Sequence, residues 1–114
     1  MKSFNIKRLV EDSYSNAKAH GWHDETRTIG DLICLMHSEL SEALEEHRNG
    51  KLPAEIYFNE AKPDKPEGIP IELADCIIRI FDFCGLHEVD LEEALTIKMQ
   101  YNKTRPYRHG NKKV

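Results

Sequence analysis

Two pairs of carboxylates stand at helical spacing in this chain, Glu39 with Glu42 and Glu72 with Asp75. Residues three apart lie on one face of a helix, so each pair points one way. Glu46 continues the first strip. Four carboxylates gathered in one place raise one another's pKa values and cannot all stay ionised without a compensating cation. A hard divalent ion such as Mg²⁺ takes oxygen ligands, keeps several waters and bridges to phosphates. A second group carries the opposite charge. Lys98, Asn102 and Arg105 are spaced i, i+4, i+7 and share one face. Lysine meets phosphate as a point charge, arginine can bind it with two parallel hydrogen bonds, and an asparagine amide adds a donor. A basic helix end that complements the macrodipole is the plainer explanation. It suits Lys103 better than a whole aligned face.

Helices must position these groups, because the pattern is helical almost throughout and strand-like alternation is absent. A first helix is expected over about Ser3–His20, with Ile6, Leu9, Val10, Ser13 and Ala17 on one face and Gly21 as its stop. Thr28 with Asp31 opens a second helix, whose stripe of Ile29, Leu32, Ile33, Met36, Leu40, Ala43 and Leu44 ends at Asn49-Gly50. A third helix runs from about Pro70 to Cys84, closed by Gly85, and a fourth from Leu91 to about Lys103, opened by Asp90 with Glu93. Arg105-Pro106 stops the last one. Residues 51–68, with Pro53, Pro63, Pro66 and Gly68, form a long loop around an apolar island of Ile56, Tyr57 and Phe58. Such a loop is either a functional lid or a solvated excursion. Four helices with mostly short connections predict an all-α, four-helix antiparallel bundle in one domain, residues 1–114. Its modest core would gain from oligomerisation.

From Glu72 to Cys84 the only charged residues are Glu72, Asp75, Arg79 and Asp82, and they fall within an arc of about 80°. This strip either faces water or meets another helix. Arg79 can pair with Asp75 or Asp82. On the second helix Glu39 and Glu46 border the apolar arc, where packed helices meet. If the second and third helices run antiparallel, the two acidic pairs can face each other across the seam.

Composition excludes several classes. The chain has 114 residues, 39% apolar and 32% charged, so it can fold around a core. No apolar stretch is long enough to span a membrane, and no secretory signal opens the sequence, so a cytosolic protein is expected. Cys34, Cys76 and Cys84 lie in apolar runs without a C-x-x-C, which predicts buried free thiols. No histidine follows a glutamate by three, so the di-iron bundle signature is missing, and His20 and His23 are expected at the surface. Net charge is −4, yet residues 98–114 hold six basic side chains and no acid, so all 20 acidic residues precede them. The basic tail, about 104–114, with the helix end before it, suggests an anion-binding element or a nucleic-acid arm.

The series Glu39-x-x-Glu42, Glu72-x-x-Asp75 and Lys98…Asn102…Arg105 resembles the MazG-like family of all-α nucleoside triphosphate pyrophosphohydrolases, over roughly residues 20–110. The resemblance implies that Glu39, Glu42, Glu72 and Asp75 ligate Mg²⁺, with Mn²⁺ as a substitute, and carry the catalysis. It implies that Lys98 and Arg105 contact phosphates with Asn102 near them. It further implies cleavage of the α–β phosphoanhydride to a monophosphate and pyrophosphate by a homodimer or a dimer of dimers. Two departures stand out: Ser38 occupies a place where many members carry another glutamate, and residues 43–71 are long for the family. The base that activates water is any of the four acids or Glu46. Trp22, the only tryptophan, is either a stacking platform for a nucleobase or a hydrophobic staple. The rival expectation is a non-enzymatic helical module that binds nucleic acid or a protein partner through residues 98–114, where Tyr101 and Tyr107 interleave with basic residues. The acidic body disfavours a polyanion, so nucleic acid is not the expected partner.

Overall fold

The computed structural model describes residues 4–107, so the end of the basic tail, with Arg108, Lys112 and Lys113, lies outside the described residues. The chain is mostly helical, in the order α1 (Ile6–Ala19), α2 (Ile29–Arg48), β1 (Tyr57–Phe58), β2 (Pro66–Glu67), α3 (Ile69–Leu86) and α4 (Leu91–Thr104). Local chemistry sets most of these ends. The Asn5 side chain accepts from the Arg8 amide at 2.8 Å and starts α1. Thr28 and Asp31 form a reciprocal capping box on α2. Asp90 accepts from the Glu93 amide at 3.0 Å and opens α4. Gly21 and Gly50 take positive φ just beyond α1 and α2, the conformation glycine tolerates best.

α3 is the hub, with α1 and α2 packed along it, while α4 lies mainly against α1. Along the α2–α3 seam, Cys76 Sγ reaches the Met36 carbonyl and Arg79 reaches Glu39. Glu42, further along α2, meets Glu72, which comes earlier in α3. Gly85 does not close α3 as expected. It lies inside the helix, where a Cβ would come within 2.5 Å of Tyr14 Cβ. Its missing side chain lets α1 approach, and α3 continues to Leu86.

The segment 51–68 contains a two-stranded antiparallel hairpin, with Tyr57 opposite Glu67 and Phe58 opposite Pro66. Strands of two residues are too short to show alternation, so nothing in the sequence pattern announced them. The hairpin is tied to α2, because the Tyr57 hydroxyl donates to the Glu46 carboxylate at 2.8 Å. At its other end Gly68 adopts φ +124°, and a Cβ there would collide with the Glu55 carbonyl.

The core is small: Leu32, Ala43, Cys76, Phe81 and Cys84 are buried, and Glu39 is buried with them. Cys34 is exposed, unlike the other two cysteines, because it falls on the outward side of α2. Apolar residues also face outward. Ile29, Ile33, Leu40 and Leu44 make an exposed stripe on α2, and Leu73, Ile77 and Ile78 are exposed on α3. The charged strip of α3 is therefore the side turned toward the neighbouring helices. Among the described residues, no helix is long and apolar enough to cross a membrane.

Candidate metal centre

α2 and α3 each contribute carboxylates to one cluster at their seam. Glu39, Glu72 and Asp75 each offer a ligand atom within 4.8 Å of the others. Glu39 is the most enclosed, with 6% exposure, Glu72 is half-buried and Asp75 lies nearer the surface. Glu42 joins through a side-chain hydrogen bond with Glu72. The packing of α2 on α3 brings Glu39, Glu72 and Asp75 into one group, and Glu42, exposed on α2, reaches it only through Glu72.

The electrostatics follow from that crowding. Burial is the largest cause, and the Glu42 hydrogen bond and the charges of Glu42, Asp75 and Glu39 add to it, pushing the Glu72 carboxyl up to about 8. Asp75 is also raised, first by burial and then by Glu39, while Arg79 and Lys65 pull it down. Without a cation, this crowding favours a proton held between the Glu42 and Glu72 carboxyls. Two buried oxygens, Glu39 Oε2 and Glu72 Oε2, have no hydrogen-bond partner. A buried polar atom left unpaired is costly. An all-oxygen donor set with two orphaned acceptors fits a hard divalent cation such as Mg²⁺ and offers nothing to a soft one.

One side chain leads outward from the cluster. Arg79 does not pair with Asp75 or Asp82 on its own helix. Its Nε donates across the seam to Glu39 Oε1 at 2.8 Å. Its guanidinium carbon lies 5.5 Å from the centroid of the Trp22 ring. Arg27 lies over the same ring at 5.6 Å, and its Nη1 donates to the Trp22 carbonyl at 2.6 Å. Trp22 is 48% exposed, so part of its surface is open. Asp82 is taken by His23, whose Nε2 donates to Asp82 Oδ1 at 2.7 Å. His23 is thus part-buried against Tyr14 rather than at the surface, whereas His20 is exposed as expected. A histidine beside a glycine turn reads as solvent-facing in sequence, and only the approach of α3 supplies its partner.

The basic set sits elsewhere. Lys98 Nζ lies 5.0 Å and the Arg105 guanidinium 5.5 Å from the Tyr101 ring centroid, so the two cations gather about one aromatic ring. Asn102 is exposed beside them, and Arg105 is half-buried. Among the described residues, no hydrogen bond or ion pair joins Lys98, Asn102 or Arg105 to the acidic cluster. The larger cavity, about 650 Å³, lies between α1 and the α3–α4 turn, lined by Ile6, Val10, Cys84 and Leu91 among others. It contains none of the candidate metal-binding or substrate-binding residues, Glu39, Glu42, Glu72, Asp75, Lys98, Asn102, Arg105 or Trp22. A smaller one of about 230 Å³ is lined by His23, Arg27, Leu32 and Leu86, beside Trp22 in the chain.

Sequence reasoning did not place three contributors. These are Arg79 as partner of Glu39, Tyr57 as partner of Glu46, and Lys65 as a positive charge felt by Asp75. Arg79 had a signal, since an arginine inside an acidic strip of a largely apolar helix needs a partner. Tyr57 and Lys65 depend on how the hairpin folds over the helices. No family model matches the chain, and neither a curated protein nor a solved structure matches it.

Proposed function

We propose that the chain is a Mg²⁺-dependent nucleotide pyrophosphohydrolase that cleaves the α–β phosphoanhydride of a nucleoside triphosphate to monophosphate and pyrophosphate. One observation carries this reading: three carboxylates from two helices converge, Glu39, Glu72 and Asp75, with Glu42 beside Glu72 and with Glu39 Oε2 and Glu72 Oε2 buried and unpartnered. Glu39, Glu42, Glu72 and Asp75 would hold the cation, with Mn²⁺ as a substitute. When bound, the ion supplies positive charge against the phosphate chain and its transition state. The resemblance of the motif series to MazG-like enzymes narrows a divalent-cation site to this reaction.

The protein's own groups then have distinct tasks. Crowding raises the Glu72 carboxyl beside Glu42, so once the cation has displaced the proton a carboxylate of this pair has the basicity to take one from the attacking water. Glu46 is less suited, because both its oxygens accept from Tyr57 and its role is to anchor the hairpin. Lys98 and Arg105, with Asn102, offer charge and hydrogen bonds to the leaving pyrophosphate. The open surface of Trp22 offers a stacking platform for the base.

The exposed apolar stripes on α2 and α3 support assembly of an antiparallel helical bundle into a homodimer or a dimer of dimers. Assembly would also give the basic face of α4 a route to an acidic cluster it does not contact within one chain. The rival reading, a binding module for nucleic acid or a protein, draws its support from that same exposed face around Tyr101. A screen of nucleoside triphosphates with Mg²⁺ and with chelator, resolving pyrophosphate from orthophosphate, separates the two. Metal-dependent release of monophosphate and pyrophosphate is expected. No turnover of any nucleotide, combined with salt-sensitive, Mg²⁺-indifferent binding of oligonucleotides, would favour the rival.

A further inference from the structure

We propose that Arg79 is a positioning residue that couples the candidate cation site to Trp22. The inference rests on the divalent-cation reading of the acidic cluster. Arg79 makes two contacts at once: Nε donates to Glu39 Oε1 at 2.8 Å, and its guanidinium lies 5.5 Å from the Trp22 ring centroid. The first contact commits one oxygen of a carboxylate that is only 6% exposed and leaves Oε2 as the one without a partner. Arg79 therefore decides which Glu39 oxygen is presented to the cluster, as outer partners of metal ligands do. The second contact ties the indole to the same guanidinium by attraction between cation and ring face.

The two contacts compete for one positive charge. A divalent cation at Glu39 Oε2 draws negative charge away from Oε1 and weakens its hold on Arg79. The guanidinium is then less neutralised and acts more strongly on the indole. Lysine cannot reproduce this, since a flexible ammonium lacks the planar group that bonds through its edge while stacking through its face. Arg27 holds the Trp22 carbonyl at 2.6 Å and also faces the ring, so the indole is fixed enough to report a change on one side.

Trp22 is the only tryptophan, so emission of the full chain reads this ring. The test titrates Mg²⁺, which does not itself quench, and follows Trp22 emission and calorimetric heat in parallel. For the wild type, emission is expected to change with the same midpoint as the heat, and Asp75→Asn to abolish both. Arg79→Lys is expected to weaken Mg²⁺ binding about 10-fold and to lose the emission response. Arg79→Gln keeps an amide donor for Glu39, so it is expected to bind Mg²⁺ more tightly than Arg79→Lys and still lose the emission response. Calorimetric binding with unchanged wild-type emission, or an intact response in an Arg79 variant, overturns the coupling while leaving the cation reading in place. Absence of heat in the wild type overturns both. The wild-type comparison of emission and heat decides the matter even if the Arg79 variants fail to fold.

Discussion

The seam between α2 and α3 and the outer face of α4 handle charge in opposite ways. At the seam, Glu39, Glu72 and Arg79 are turned inward while Leu40, Leu44, Leu73 and Ile77 face outward. On α4, Lys98 and Arg105 sit around Tyr101, with Asn102 exposed beside them. An inward acidic seam is costly unless something compensates it, and within the chain only Arg79 makes an ion pair with it among the described residues. The exposed face of α4 carries no such strain. On the proposed reading, the seam would be kept for chemistry and the α4 face would be a contact surface for a ligand.

The largest expected effect is on turnover. Glu42→Gln and Asp75→Asn should each cost more than about 100-fold in kcat, beyond what outer partners of a metal contribute. Lys98→Ala or Arg105→Ala should cost roughly 10-fold, the worth of one charged hydrogen bond. Steady-state kinetics checks this, and equal losses in both sets would break the contrast.

Stability should divide the same two regions. Glu39→Ala leaves Arg79 without its carboxylate and should destabilise the fold by about 3 kcal/mol. Lys98→Ala should stay within about 0.5 kcal/mol, as exposed substitutions usually do. Urea denaturation measures both.

A third expectation concerns pH. The folded Glu72 carboxyl lies at about 8 against an ordinary 4.5, so the folded state binds the extra proton between these values. In the absence of cation, stability from this group is complete below 4.5 and is lost as pH rises through about 8. Mg²⁺ should offset that loss and bind more tightly as pH rises through the same window, since it replaces a proton. Denaturation curves across this range, with and without Mg²⁺, test the sign. A rise in metal-free stability with pH would show that Glu72 is not the crowded group.

Smaller effects probe the framework that brings the seam together. Gly85→Ala forces a Cβ against Tyr14 and should cost about 1–3 kcal/mol. Tyr57→Phe removes the tether to Glu46 and should lower the melting temperature less than Gly85→Ala does. Thermal melting compares the two.

Much of this was legible because it is local. Asn49-Gly50, the Thr28–Asp31 box and Asp90 with Glu93 mark helix ends through contacts a few residues long. Glu39 with Glu42 and Glu72 with Asp75 could be read as pairs for the same reason. What failed depends on a second element. Gly85 has the residue type of a helix stop, but the close approach of Tyr14 gives it another reason to be glycine. His23 and Arg79 find their partners across the fold, at Asp82 and Glu39. Periodicity describes one helix at a time, so it could show that α3 has a charged strip but not which way the strip turns. The same gap put Cys34 among the buried thiols and left the short hairpin unseen.

Mg²⁺ titration by calorimetry, on the full chain near neutral pH, tests the central claim most directly, alongside Asp75→Asn and Lys98→Ala. The account predicts that the wild type and Lys98→Ala bind Mg²⁺ and release a proton from the Glu42–Glu72 pair, while Asp75→Asn does neither. Absence of binding in the wild type, or binding unchanged by Asp75→Asn, would contradict it.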